Sequence, residues 1–202
     1  MNFVKPPFFL HWIYPQVTWH KSRKEKVLYL TFDDGPIPEI TPWILDVLAQ
    51  YDAKATFFCV GENVERYPDI FERIKREGHQ IGNHTFNHLS GWHHPDQIYY
   101  DNIQKCNTLT GTHLFRPPYL QAKRRQLRHL HDYYDIIYCD VLSYDYDTHI
   151  SPEKCYENVI NNSTNGSIIV FHDNIKAFPR LKYALPLALD KWRKEGFLFS
   201  QL

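Results

Sequence analysis

Residues 27–36 read Val27-Leu28-Tyr29-Leu30-Thr31-Phe32-Asp33-Asp34-Gly35-Pro36. The first six are β-branched, aromatic or leucine, the composition of a buried strand. The last four are turn formers that stop it. A helical pattern follows at once, with Thr41 as N-cap, Pro42 at the first helical position and residues 43–50 as the body. This strand–helix unit decides the fold because it repeats. Further strands are expected at 55–60, 80–83, 113–116, 135–141, 167–171 and 197–199. Helices are expected at 68–77, 95–109, 122–132, 152–162 and 180–194. Gly78 and Gly111 stop two of them, Ser151 caps another, and Pro186 should kink the last.

Strict alternation implies a parallel sheet with crossover helices. The expected fold class is α/β, a distorted (β/α)7 barrel, TIM-barrel-like, in a single domain spanning residues 27–202. An open doubly wound sheet is the rival that periodicity does not separate. Residues 1–26 read as an aromatic, proline-rich extension packing on the barrel.

The 202 residues carry 23 Lys+Arg against 23 Asp+Glu, so the formal net charge is zero. That argues against a nucleic-acid partner, which needs a surplus of cations. Hydrophobic residues at 43% and charged residues at 23% fit a globular chain rather than a disordered one. Cys59, Cys106, Cys139 and Cys155 show no CxxC spacing and read as buried thiols. No run of about 20 apolar residues predicts a transmembrane segment. The first 15 residues lack the pattern of a secretory signal, so the location reads as cytoplasmic or membrane-peripheral. Aromatic residues between Phe8 and Trp19 suit peripheral membrane contact or, the preferred use, cover for an incomplete barrel. The chain reads as a monomer.

Chemistry-bearing residues fall where strands end: Asp33 and Asp34, His84 and His88, Arg116, Asp145, then His172 and Asp173. Barrel enzymes gather such residues at one mouth. On a helical turn, His84 and His88 would share a face and offer two nitrogens to a zinc-like cation. With 12 histidines in the chain, that spacing also arises by chance. Adjacent aspartates before Gly-Pro make a turn, or divide into a ligand and a general base. Trp92 could stack on a sugar ring or simply pack its loop. The cluster Lys123-Arg124-Arg125 with Arg128 reads as a solvated helix face.

Taken in order, Thr31-Phe32-Asp33-Asp34-Gly35-Pro36, His84-Thr85-x-x-His88, Arg116-Pro117-Pro118-Tyr119, Asp145-Tyr146 and Val170-Phe171-His172 resemble the five motifs of the polysaccharide deacetylases. These are the NodB-homology enzymes of carbohydrate esterase family 4. The resemblance implies a divalent metal, most often Zn2+ with Co2+ also accepted, held by Asp34, His84 and His88. It implies Asp33 as general base, Arg116 as the group that orients it, and His172 as general acid paired with Asp145. Tyr119 would offer a backbone N–H to the oxyanion, and Tyr146 and Val170 would line the acetyl pocket. Leu142 stands where the family usually has aspartate, Leu120 where it has glycine, and Tyr146 where it has tryptophan. These departures bear on pocket shape. The implied activity is N-deacetylation of a glycan or oligosaccharide. The alternatives are O-deacetylation at the same site, hydrolysis of a small non-sugar amide inside cells, and a silent sugar-binding homologue.

Overall fold

A computed structural model describes residues 3–202. Nine strands and eight α-helices are present among them. The strands are β1 (Val17–Thr18), β2 (Val27–Asp33), β3 (Ala55–Cys59), β4 (Gln80–Asn83), β5 (Leu114–Phe115), β6 (Asp135–Ile137), β7 (Val141–Leu142), β8 (Ile168–His172) and β9 (Leu198–Phe199). The helices are α1 (Phe9–Ile13), α2 (Ile40–Gln50), α3 (Gly61–Arg66), α4 (Pro68–Arg76), α5 (Asp96–Thr110), α6 (Arg124–Leu130), α7 (Pro152–Asn162) and α8 (Phe178–Lys194).

All named strand pairings are parallel, in the order β1-β6-β5-β4-β3-β2-β8-β7, with β9 beside β2. The sheet curls as a distorted (β/α)7 barrel with helices outside, the expected fold class, and not as the open doubly wound rival that the alternation also allowed. On the helix-facing side of β2, β3 and β8, Phe32 stacks on Phe57 (5.1 Å) and on Phe171 (6.0 Å). On the outer side, Ile44, Leu45 and Leu48 of α2 and Leu181, Leu185 and Trp192 of α8 belong to the same fully buried cluster. The register of β2 on β8 sets Asp33 opposite His172.

Four expectations are corrected. Residues 135–141 are not one strand. They leave β6 and join β8 as β7, so the chain crosses from one end of the sheet order to the other. At the crossing, Tyr138 N–H donates to the Thr18 carbonyl and Asp140 N–H to that of Ile168. The alternation is not strict either, because α3 and α4 both lie between β3 and β4. Gly61 opens α3 where a Cβ would fall 2.6 Å from the Phe86 ring. Thr41 is not an N-cap. Helix α2 begins at Ile40, and the Thr41 hydroxyl bonds inward to Asp173 (2.6 Å) while accepting from Ile37 N–H (2.8 Å). The basic helix shrinks to Arg124–Leu130.

The N-terminal residues contribute β1 and the buried side chains of Val17 and Trp19. Val4 accepts from Leu142 N–H (2.8 Å), which ties the same segment to β7. Met1 and Asn2 of the expected extension lie outside the described residues. Among the described residues, no helix is long and apolar enough to cross a membrane.

Candidate metal and acid–base site

The mouth of the barrel is a cleft of about 480 Å³. Asp33, Asp34, His84, His88 and His172 all line it. β2 delivers Asp33 as its last residue, buried at 3% exposure. Arg116 lies behind it, fully buried, and donates to Asp33 Oδ1 (2.6 Å) and Thr31 Oγ1 (2.7 Å) through Nη1. Its Nη2 and Nε donate to the carbonyls of Tyr138 (3.0 Å) and Ile137 (3.2 Å). Its guanidinium also stacks over Phe58 at 4.1 Å. The charge is thus paired and hydrogen-bonded, the condition under which a buried cation is tolerated.

Asp34 follows in the left-handed region (φ 93°). One oxygen from Asp34 and one nitrogen from each of His84 and His88 lie within 4.8 Å of one another. The histidine pair is not on a helical turn, which corrects the sequence expectation. It occupies a loop after β4, with positive φ at Thr85 (65°) and His88 (59°). Side chains hold that loop. Asn83 Oδ1 accepts from Thr85 N–H (2.9 Å), Thr85 Oγ1 from Leu89 N–H (2.8 Å) and Asn102 Oδ1 from Phe86 N–H (2.8 Å).

The tautomer of His84 follows from its partner. Its Nδ1 lies 2.8 Å from the Arg116 carbonyl, which can only accept, so Nδ1 carries the proton. The Nε2 lone pair then faces Asp34 Oδ1 at 3.7 Å. Burial pushes His84 down to about 4, so it is neutral at pH 7. His88 Nε2 lies 3.1 Å from the same oxygen, and its Nδ1 is 3.2 Å from the Tyr119 hydroxyl. Asp34 Oδ1 is buried and makes no aligned hydrogen bond. Burial opposes charge on Asp34, but His88 and the neighbouring imidazoles hold its carboxyl below the usual range. An orphaned carboxylate oxygen facing two imidazole nitrogens is what a divalent cation needs, so these residues fit one.

Across the cleft, His172 Nδ1 meets Asp145 Oδ1 (2.8 Å), and Asp145 Oδ2 accepts from the His172 backbone N–H (2.7 Å). Asp145 is wholly buried, and its carbonyl accepts from Arg180 Nε (2.5 Å). Burial alone would lower His172, but the Asp145 charge and hydrogen bond outweigh it and raise the imidazole to about 9. Tyr146 packs edge-on against His172 at 4.9 Å. Val170 and Leu142 add apolar wall. Tyr119 stands at the rim, 64% exposed, with φ 59°.

A family model for polysaccharide deacetylases matches residues 20–133, more than half the chain. The chain belongs to the polysaccharide deacetylase family. This deacetylase-family chain is 32% identical to a peptidoglycan-N-acetylglucosamine deacetylase of Bacillus cereus, over 91% of itself and 89% of that protein. A solved peptidoglycan N-acetylglucosamine deacetylase, in complex with 4-naphthalen-1-yl-N-oxidanyl-benzamide, superposes with a TM-score of 0.89. It is 33% identical, and the match covers 98% of this chain and 95% of that one. A family 4 pseudoenzyme from Bacillus anthracis shares the fold at 21% identity and a TM-score of 0.80, over 91% of this chain and 66% of that one. Some relatives are longer. The chain spans 38% of a Listeria monocytogenes peptidoglycan-N-acetylglucosamine deacetylase.

The family chain brings all ten sequence-predicted residues to this mouth. Arg116 and Asp145 stand behind Asp33 and His172 rather than in the cleft wall. Trp92 is half-exposed, outside the cleft, with Nε1 donating to the Ala122 carbonyl (3.1 Å). Sequence reasoning missed Asn174 and Lys176, which line the cleft just past His172. Their position two and four residues after a strand-end histidine was the available signal.

Proposed function

We propose that this chain is a metal-dependent hydrolase that removes N-acetyl groups from N-acetylated sugars of a glycan or oligosaccharide. One observation carries the reading. A carboxylate held by a buried arginine and an imidazole held by a buried aspartate flank the Asp34-His84-His88 cluster in a single cleft. When bound there, a divalent cation supplies Lewis-acid polarisation of the carbonyl and activation of water. Two imidazoles and one carboxylate with an open position suit zinc, and cobalt has similar ligand needs.

The protein's own residues do the rest. Asp33 takes the proton of the attacking water, and Arg116 fixes its orientation. The Tyr119 N–H is the proposed donor to the developing oxyanion. His172 Nε2, left free by the Nδ1 bond to Asp145, gives its proton to the leaving nitrogen. Val170, Leu142 and Tyr146 offer an apolar seat to the acetyl methyl. The names of the related deacetylases favour N-acetylglucosamine as the sugar. An ester leaving group needs less protonation, so O-deacetylation at the same site would depend less on His172. Residues 27–202 are the proposed catalytic domain. Residues 1–26 are proposed as its cover, a use supported by burial of Val17 and Trp19.

The test is acetate release from chitooligosaccharides and peptidoglycan fragments, before and after chelation. Turnover should vanish with the chelator and return with zinc or cobalt. Turnover that survives complete metal removal would overturn the reading. The pH profile tests the acid. His172 is raised to about 9, so it keeps its proton through neutral pH and loses it above that value. The alkaline limb of kcat/KM should therefore lie above the range of an ordinary imidazole. Asp145→Asn removes the charge that raises the imidazole and leaves the burial that lowers it. The limb should fall by roughly 1–3 pH units. An unmoved limb would exclude the pairing role.

A further inference from the structure

The residues immediately after the proposed acid point back at the metal cluster. Asp173 is fully buried, and its backbone N–H donates to the Asp33 carbonyl (3.0 Å). Its Oδ1 accepts from Gly35 N–H (2.8 Å), and its Oδ2 bonds the Thr41 hydroxyl (2.6 Å). The carboxylate fills the space a side chain would need at Gly35, where a Cβ would sit 1.8 Å from Oδ2. So Asp173 fastens the backbone on both sides of Asp34. Burial pushes its carboxyl up to about 8. The Gly35 anchor does not depend on that charge, because Oδ1 accepts in either protonation state.

Asn174 acts on the side chain instead. Its Oδ1 accepts from Ala177 N–H (2.8 Å), which fixes the amide orientation because an N–H can only donate. Nδ2 is therefore the group that donates to Asp34 Oδ2 (2.5 Å). One carboxylate oxygen is thus taken, and the other, Oδ1, is the orphan facing His84 and His88. Asn63 Nδ2 completes the fixation by donating to the Asp34 carbonyl (2.7 Å).

We propose that Asp173 and Asn174 are positioning residues that dictate which single oxygen of Asp34 a bound cation meets. The same three-residue stretch, His172 to Asn174, then carries the proposed acid and the two groups that fix Asp34. This rests on the metal-dependent reading above. Hydrogen-bonded partners of ligating carboxylates act in this way in metal sites generally, with effects of roughly 10–100-fold on affinity or activity when removed.

The test is titration of metal-free wild-type, Asn174→Ala and Asp173→Ala proteins with Co2+, followed by its visible absorption. Asn174→Ala removes the bond that orients the Asp34 carboxylate, so that Oδ2 competes with Oδ1 and neither oxygen is held ready for the cation. Co2+ affinity should fall about 10–100-fold, and the absorption bands should change shape as the coordination changes. Asp173→Ala should lower affinity similarly by loosening the turn. The spectrum is the readout that a merely structural role would not move, and thermal unfolding of the metal-free proteins checks folding. The variants are measured separately, so failure of one to fold leaves the other to decide. Wild-type affinity and spectrum in either folded variant would overturn the clamp alone. A wild-type protein that takes up no Co2+ or Zn2+ would overturn the metal-dependent reading itself.

Discussion

Asp33→Asn is expected to cut kcat by roughly 10²–10⁴-fold, the range that a positioned general base contributes, while the protein still takes up metal. The reasoning is geometric. Asp33 Oδ1 is engaged by Arg116 at 2.6 Å, and Oδ2 lies 4.0 Å from His84 Nε2 on the side of the metal cluster. Asparagine keeps an acceptor for Arg116 but has no charge with which to remove a proton from water. The three proposed ligands, Asp34, His84 and His88, are untouched, so metal content should stay near wild type. Acetate release and metal analysis on the same preparation check both halves. A metal-loaded Asp33→Asn enzyme with full turnover would show that the proton leaves by another route.

Arg116→Met is expected to lower folding stability by roughly 3–5 kcal/mol, the usual penalty for breaking a buried ion pair from one side. Methionine fills part of the volume above Phe58 but donates nothing. Asp33, Thr31 Oγ1 and the carbonyls of Ile137 and Tyr138 all lose a donor in a wholly buried place. Each orphaned polar group adds its own desolvation cost. Urea unfolding of the metal-free protein measures the loss without interference from metal binding. A change below about 1 kcal/mol would mean that water replaces the guanidinium and that the residue is not structural. Turnover should fall as well, since Asp33 would no longer be held in place.

These two residues were legible in the sequence because they sit at strand ends in motif order. The strands β2 and β3 were legible for a related reason. They are continuous apolar or β-branched runs closed by turn formers, as a doubly covered parallel sheet requires. What escaped is also physical. β1 is two residues long, and its pairing with β6 depends on a chain segment more than 100 positions away, which no local window registers. Helix α3 is six residues opened by glycine, so intrinsic propensity argues against it. The break between β6 and β7 lies in a run, Ile136 to Leu142, that is β-like except at Asp140 and holds no glycine or proline. It is imposed by partners, Thr18 on one side and Ile168 on the other, rather than by any breaker. The histidine pair shows the opposite error. The spacing was right and the conformation wrong, because Asn83 and Asn102 side chains stabilise a loop that brings both imidazoles together without a helical turn. The fixing of Asp34 by Asp173 and Asn174 lay beyond sequence reasoning, since it needs contacts between positions about 140 residues apart.

The register that sets Asp33 opposite His172 has a consequence in time as well as in space. The proposed base and acid are cross-strand neighbours on strands far apart in the chain. During synthesis, the first strand of the pair is made early and waits with its carboxylates for a neighbour that emerges some 135 residues later. Long-range pairings of this kind are slow to form. The proposed acid–base pair is therefore assembled late, and a nascent chain whose growth has not reached β8 lacks the proposed acid.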